Sequence, residues 1–254
     1  MKENNFVHRI DKEAINGMPL AAFEGETYVI NEPEQVAGAM AYLNAQKVVG
    51  VDTETRPSFV KGQHFPVALV QIATEQRCYL FQLNRIGMPQ ELADFFANPS
   101  VRKIGLAFTD DLNGLRRRRN FLPQNCVDVQ RLVGQYGILD LGLQKLFAIC
   151  FGQKISKSQQ LTNWETVELT PEQARYASTD AWATLLIYKE LMHTKPLPRK
   201  IAESLRLEDL HRQQQHQQEI LAARQAQAAA AETLETAQTP ETPQTSETSN
   251  SQPS

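Results

Sequence analysis

Two carboxylates stand two residues apart at the end of an apolar run, in the stretch VVGVDTET at residues 48–55. The β-branched and small residues before Asp52 are typical of a buried strand. Because alternate residues of a strand face the same side, Asp52 and Glu54 should lie side by side and repel each other unless a positive charge lies between them. Taken alone, such a pair is also explained by a solvated strand edge.

Two further acidic positions follow along the chain. Asp110 and Asp111 come directly after the apolar stretch KIGLAF, where one of them suits the start of a helix but two are not needed. Tyr176 and Asp180 are four residues apart and share a face of a predicted helix. A mid-helix carboxylate among small, buried-looking residues needs a partner, because an unpaired buried charge is expensive. A core salt bridge is the alternative for Asp180.

Carboxylates from a strand, a helix start and a late helix can converge only if something neutralises them. Oxygen-only ligands suit Mg²⁺ or Mn²⁺ rather than zinc, and none of the five histidines has metal-ligand spacing with these acids. Two such ions about 3.5–4 Å apart would activate a water and stabilise the leaving oxygen of a phosphodiester. The hydroxyl of Tyr176 would then face that water. The acids therefore predict a metal centre that hydrolyses phosphodiesters.

The elements that must position these residues alternate between strands and helices. Strands are predicted at 27–30, 48–53, 65–73, 77–81, 102–108 and 126–128, and helices at 33–45, 89–98, 110–119, 140–151 and 171–193. The strands at 65–73 and 77–81 form a hairpin across a short polar turn. The last helix has the strongest start signals, with Thr170 as N-cap, Pro171 at the first position and Gln173 completing a capping box. This order implies an α/β fold with a mixed sheet.

Composition narrows the class of protein. The 254 residues are 41 % hydrophobic and 22 % charged, which is enough for a sizeable core. The sequence contains no run of about 18 apolar residues, which argues against a membrane span. The start MKENNFVHRIDKE lacks the apolar region of a secretory signal. Three cysteines lie in apolar stretches, an odd number that favours reduced core residues and a cytoplasmic location.

The C-terminal part differs from the rest. From Gln225 to Ser254 the chain has four Glu and no Lys or Arg, and we predict it to be disordered. Without those four charges the net charge of −3 becomes about +1, so charge gives no argument for a nucleic-acid partner. Residues 196–224 are predicted to form a polar, Gln-rich helix. The run Arg116–Arg119 is predicted to be a solvated helix face.

Taken in order, the three acidic motifs resemble those of the DEDDy 3′–5′ exonucleases, in the branch that contains ribonuclease D and the Werner syndrome exonuclease domain. The resemblance covers residues 26–195 and extends to VALVQIA and to KSQQLTNWETVELTPEQARYASTDA. It implies a ribonuclease H-like exonuclease fold, with a mixed central sheet flanked by helices, and hydrolysis from the 3′ end of a nucleic-acid strand by two Mg²⁺ or Mn²⁺ ions. Residues 1–25 would be an N-terminal extension to this domain.

The resemblance also implies roles for single residues. The metal-binding acids would be Asp52, Glu54, Asp111 and Asp180. Asp111 is preferred over Asp110 because its distances from Gly105 and Leu115 match the family spacing, and Asp110 then becomes a helix-capping neighbour. Tyr176 matches the tyrosine that positions the attacking water. Ala107 stands where proofreading exonucleases of polymerases usually have Asn, which disfavours that branch.

Substrate contacts are predicted at four positions. Lys157 and Ser158 match a Lys-Ser pair of the Werner-type branch, although a solvated loop explains them equally well. His64 lies in the loop where family members hold the strand end, and Thr53 lies between the first two acids. The expected partner is a single-stranded or 3′-ended nucleic acid, either RNA or DNA.

Two questions stay open at the level of sequence. Ribonuclease D relatives carry a helical nucleic-acid-binding domain after the exonuclease, and nothing of that size and hydrophobicity follows residue 195, so substrate choice is undecided. The alternative function is a catalytically inactive nucleic-acid-binding or scaffold protein on the same fold. The intact acids and Tyr176 favour the enzyme.

Overall fold

The computed structural model describes residues 1–60 and 62–237, and the described strands form one mixed sheet. These strands are β1 (Glu26–Ile30), β2 (Val48–Thr55), β3 (Val67–Ala73), β4 (Arg77–Gln82), β5 (Arg102–Gly105) and β6 (Cys126–Asp128), in the spatial order β1-β4-β3-β2-β5-β6. β3 runs antiparallel to both β2 and β4, while the β1–β4, β2–β5 and β5–β6 pairs are parallel. The predicted hairpin and mixed sheet are confirmed.

Helices cover both faces of the sheet. They are α1 (Lys12–Asn16), α2 (Pro33–Asn44), α3 (Leu83–Ile86), α4 (Gln90–Ala97), α5 (Phe108–Arg118), α6 (Gln130–Val133), α7 (Leu143–Phe151), α8 (Pro171–His193) and α9 (Arg199–Ala237), with a 3₁₀ turn at Gly134–Tyr136. Side chains of α2, α4 and α5 share one core with one face of the central strands. Side chains of α7 and α8 pack against the opposite face. β3 lies in the middle of these layers and is buried along its whole length.

The turn from β5 to α5 is tighter than the sequence suggests. We predicted a strand over 102–108, but β5 ends at Gly105 and α5 already begins at Phe108. The ring of Phe108 folds back over Gly105, where an added Cβ would lie 2.2 Å from a ring carbon. Ala107 adopts a left-handed backbone conformation with φ of 52°. Only two residues therefore separate β5 from α5, and the apolar stretch is shared between strand and helix.

The arginine run at the end of α5 is not simply a solvated face. The guanidinium of Arg118 donates to the carbonyls of Val67 and Leu83, at 2.6 and 3.2 Å. Arg119 donates to the carbonyl of Met88 at 2.7 Å. Arg116, Arg117 and Arg119 are exposed, as predicted. The prediction was wrong for Arg118, which is half-buried because carbonyls of distant segments lie within its reach.

The N-terminal residues are bound to the rest of residues 1–206, which form one compact unit. The Lys2 amide donates to the His193 carbonyl at 2.7 Å, and the Lys195 amide donates to the Lys2 carbonyl at 2.9 Å. Further along, the Ala21 amide donates to the Lys154 carbonyl at 2.8 Å. The predicted extension over residues 1–25 therefore packs as part of this unit.

From Leu207 onward the chain belongs to a second unit, whose described residues continue α9. Disorder was predicted from Gln225, but the helix continues to Ala237, so that prediction is wrong for residues 225–237. Alanine has the highest helix propensity and is abundant in this segment, which explains the difference. The remainder of the predicted tail, residues 238–254, lies outside the described residues. Among the described helices, none combines the length and apolar character needed to cross a bilayer.

Candidate active site

Three carboxylates converge at the end of β2. Asp52, Glu54 and Asp180 each place a carboxylate oxygen so that the three atoms lie within 4.8 Å of one another. β2 supplies Asp52 and Glu54 on one face, as the strand period requires, and α8 brings Asp180 over that face. Within the part of the chain that the structure describes, no other cluster of acids, histidines or cysteines has metal-binding spacing.

Close contact between β2 and α8 makes this convergence possible. A Cβ added to Gly50 would lie only 2.0 Å from the carbonyl oxygen of Ala181. Ala177 and Ala181 are fully buried on the same side of α8. The small residues therefore let the helix rest on the strand two residues before Asp52, and Asp180 reaches the acids of β2.

Asp111 lies beside this cluster rather than in it. It is on α5, and its carboxylate accepts a hydrogen bond from the hydroxyl of Thr53, which points to the other face of β2. Its negative charge nevertheless raises the pKa of both Asp52 and Glu54. The structure thus places Asp111 next to the site. Asp111 also accepts the hydroxyl proton of Thr53, a predicted substrate contact.

Asp110 does not cap α5, contrary to our expectation. It is exposed in the first turn, while the amides of Ala107 and Phe108 donate to the carboxylate of Asp128, at 3.0 and 3.2 Å. Asp128 comes from the end of β6, about 20 residues further along the chain. Sequence reasoning missed this residue because capping signals are sought next to the helix they cap.

Tyr176 lies one helical turn before Asp180 and is 8 % exposed. Its hydroxyl lies beside the Asp180 carboxylate, and its ring centroid is 6.0 Å from that of the buried Trp164. Burial and the negative charges of Asp180 and Glu54 raise the pKa of the Tyr176 phenol. The hydroxyl therefore stays protonated at neutral pH and can donate a hydrogen bond.

The acids repel each other strongly in the absence of a cation. Burial raises the pKa of Asp52 well above its usual range, with further contributions from Asp180 and Asp111. Burial and the charge of Asp52 raise the pKa of Glu54 to about 10. Burial also raises the pKa of Asp111 to about 6. The site therefore favours a bound cation, and its all-oxygen donor set fits Mg²⁺ or Mn²⁺.

The positive charge of Lys157 lies near Asp180 and affects its pKa. Burial raises the pKa of Asp180 to about 7, while the Tyr176 hydrogen bond and the charge of Lys157 act in the opposite direction. Lys157 is exposed and, together with Gln144 and Gln160, lines a cleft of about 330 Å³ that opens onto the acids. A positive charge at the mouth of this cleft can attract a phosphate.

A second cleft of about 330 Å³ opens on the other side of β2. It is lined by Thr53, Arg56, His64, Asp111 and Arg117, among others. Of the predicted substrate contacts, the structure thus brings Lys157, Thr53 and His64 to the two clefts. Ser158 lines neither of them and makes a local hydrogen bond, accepting from the Ser156 hydroxyl at 2.9 Å.

Residues 28–194 match a family model described as a 3′–5′ exonuclease. Because this match covers well over half of the chain, the chain belongs to that 3′–5′ exonuclease family. The match confirms the resemblance drawn from the motifs. Within the family, the chain resembles the DEDDy exonucleases of the ribonuclease D and Werner branch.

Similar proteins support the same assignment. The bifunctional 3′–5′ exonuclease/ATP-dependent helicase WRN of Mus musculus is 30 % identical over 155 residues, which are 59 % of this chain and 11 % of that protein. The exonuclease mut-7 homolog of Drosophila melanogaster is 29 % identical over 189 residues, or 65 % of this chain and 30 % of that one. The chain therefore spans less than a third of the length of these two relatives.

Solved structures confirm the ribonuclease H-like fold. The EXO domain of Aedes aegypti Nibbler superposes with a TM-score of 0.62 at 23 % identity, covering 73 % of this chain and 99 % of that domain. Ribonuclease D of Escherichia coli gives a TM-score of 0.59 at 24 % identity, covering 66 % of this chain and 44 % of that one.

Proposed function

We propose that this protein is a metal-dependent 3′–5′ exonuclease that removes nucleotides from the 3′ end of an RNA or DNA strand by a two-metal mechanism. The observation that carries the proposal is the convergence of Asp52, Glu54 and Asp180 in a chain of this family, with Asp111 beside them. Buried carboxylates this close are neutralised either by taking up protons, as their raised pKa values indicate, or by a bound cation, and a cation lets them stay ionised as ligands.

Asp52, Glu54 and Asp180 would hold the ions, and Asp111 would complete the set of ligands. Bound there, two Mg²⁺ or Mn²⁺ ions would supply a nucleophilic water and Lewis acidity toward the phosphodiester. Oxygen ligands alone give no reason to expect zinc. The protein's part is to keep these four side chains in place while a phosphate enters.

Tyr176 would orient the attacking water. Its phenol is held at Asp180, it is mostly buried, and it retains its proton at neutral pH for the reasons given above. A protonated hydroxyl at this position can donate to or accept from a water that approaches the scissile phosphate.

The nucleic-acid strand would lie along the two clefts. Lys157 would contact phosphate in the first cleft and His64 in the second. Thr53 and Ser158 are less well placed, because the Thr53 hydroxyl donates to Asp111 and Ser158 lines neither cleft. Ribonuclease D of Trypanosoma brucei, with a TM-score of 0.60 to this chain at 17 % identity, was solved in complex with RNA U12, so a protein of this fold binds RNA. We also propose that the protein is cytoplasmic, because its three cysteines are all free thiols.

A catalytically inactive nucleic-acid-binding protein on the same fold is the second candidate. Such a protein has no need for a complete set of metal ligands. Here all four acids and Tyr176 are present, which favours the enzyme.

The test uses strands labelled at one end. Purified protein should release a 3′ label before a 5′ label in the presence of Mg²⁺ or Mn²⁺, and should stop when EDTA is added. Asp52→Ala and Asp180→Ala should abolish the activity while leaving the circular dichroism spectrum unchanged, whereas the control Glu91→Ala, on exposed α4 surface, should behave like the parent. Digestion that persists in excess EDTA, or that begins at the 5′ end, would refute the proposal.

A further inference from the structure

Gln71 is an unexplained polar residue in the middle of the sheet. It lies on β3 among apolar residues and is fully buried. Neither its amide oxygen nor its amide nitrogen has a hydrogen-bond partner among the described residues. Burying an amide without a partner is costly, and folded proteins keep few such groups. Packing of the sheet does not explain why a glutamine stands at this position.

The strand register places Gln71 beside the metal site. β2 and β3 pair antiparallel with Gln71 directly opposite Asp52, so the two side chains lie on the same face. The residues next to Gln71 along β3, Leu69 and Ala73, and its directly opposed partner on β4, Leu80, are apolar. Its polar diagonal neighbours on this face are Glu54 on β2 and Gln82 on β4, and neither forms a hydrogen bond with the Gln71 amide. Directly opposed residues have Cβ atoms about 4.5–5.5 Å apart, which the long side chain of glutamine can span. Asp52 is therefore the polar group directly opposite the Gln71 amide, nearer than the diagonal neighbours.

We propose that Gln71 is a positioning residue for Asp52, and that its Nε2 donates a hydrogen bond to the Asp52 carboxylate when a divalent ion is held at the site. The inference rests on the proposed metal function. Ligating carboxylates commonly accept such an outer hydrogen bond, which fixes the orientation of the oxygen that faces the metal. The ion keeps Asp52 ionised, and an ionised carboxylate is the stronger acceptor for the amide.

Gln82 provides a matched control in the same environment. It is also fully buried, lies on the same face in β4, and has an amide oxygen without a partner among the described residues. It is paired with Leu69 rather than with an acid, however, and its Nε2 donates to the Thr166 carbonyl at 3.2 Å. Loss of its amide should disturb packing without reaching a metal ligand.

The first measurement is the affinity for Mn²⁺, by calorimetry or electron paramagnetic resonance. Gln71→Met keeps nearly the same volume and removes the amide, and it should weaken Mn²⁺ binding about 10–100-fold, the usual effect of losing a partner of a metal ligand. Gln82→Met should bind Mn²⁺ as the parent does. In EDTA, Gln71→Met should melt at or above the temperature of the parent because the unpaired amide is gone, which separates lost positioning from lost folding.

The second measurement uses the parent protein alone. The side-chain NH₂ resonances of Gln71, assigned by NMR, should shift and exchange more slowly with solvent when Mg²⁺ is added, while those of Gln82 should not. Unchanged Mn²⁺ affinity in Gln71→Met, or Gln71 resonances that do not respond to saturating Mg²⁺, would overturn the inference. If the parent itself neither binds Mn²⁺ nor cleaves a strand, the proposed function fails as well. If the parent does both, only the role of Gln71 is refuted.

Discussion

At the scale of single residues, Tyr176 can be separated from the acids around it. Tyr176→Phe removes the hydroxyl but keeps the ring against Trp164 and leaves all four carboxylates in place. Help from one side chain in placing a water or moving its proton is typically worth about 10²–10⁴-fold. We therefore expect single-turnover cleavage to slow within that range, while Mn²⁺ and a non-cleavable strand bind almost as in the parent. Cleavage at the parent rate would make Tyr176 a packing residue.

The adjacent acids Asp110 and Asp111 should differ sharply. Asp111 accepts the Thr53 hydroxyl and raises the pKa of the cluster acids, whereas Asp110 is exposed. Asp111→Asn should weaken Mn²⁺ binding and reduce cleavage strongly, and Asp110→Asn should be mild in both assays. An inactive Asp110→Asn beside an active Asp111→Asn would show that the second motif is out of register by one residue.

Asp180 should make the metal-free protein less stable as the pH rises. Its pKa in the folded protein is raised from 3.8 to about 7, so between these values the folded state holds a proton that the unfolded state has lost. By linkage, its contribution to the free energy of unfolding is fully present below pH 3.8 and is lost as the pH rises through 7. Urea titrations in EDTA should therefore show the advantage of Asp180→Asn over the parent growing from pH 5 to pH 8. An advantage that is constant across this range would contradict the expected shift.

At the scale of elements, the start of α5 depends on a side chain from another strand. Asp128 accepts the amides of Ala107 and Phe108 and also that of Gln130, at 3.0 Å. Replacing a capping acceptor by alanine costs about 1 kcal/mol. Asp128→Ala should lower the free energy of unfolding by about this amount in urea titrations, and Asp128→Asn, which keeps one acceptor oxygen, should lower it less. Equal stability of Asp128→Ala and the parent would mean that the cap is not needed.

The starts of α8 and α5 show where sequence reasoning works and where it stops. The start of α8 was predictable because its signals are local: Thr170 accepts the Gln173 amide at 3.2 Å in a complete capping box. Asp52, Glu54 and Asp180 could be assigned to one site because strand and helix periods, together with the family motifs, fix their faces. The cap from Asp128 and the pairing of Asp52 with Gln71 depend on which strands become neighbours, and no local pattern encodes that.

At the scale of the whole molecule, the two ends of the chain differ in their hydrogen bonding and exposure. Near the N-terminus, the His8 ring bonds to the Gly137 carbonyl at 2.7 Å, and the Ile10 amide donates to the buried Asp140 carboxylate at 2.9 Å. Toward the C-terminus, residues 211–227 of α9 are all exposed. Buried hydrogen bonds stabilise the fold, whereas an exposed helix contributes little, because only its intrinsic helix propensity stabilises it.

Two deletions test this contrast. Removing residues 225–254 should leave the melting temperature and the cleavage rate almost unchanged, because the described part of that segment starts in exposed helix and supplies no residue of the site. Removing residues 1–10 should lower the melting temperature clearly, because it breaks the bonds of Lys2, His8 and Ile10 and leaves the Asp140 carboxylate without a backbone donor. Thermal melts and strand-digestion assays on both truncated proteins and the full chain decide the matter. A drop in melting temperature on losing the C-terminal segment, or none on losing the N-terminal one, would show that we have misjudged which end the domain depends on.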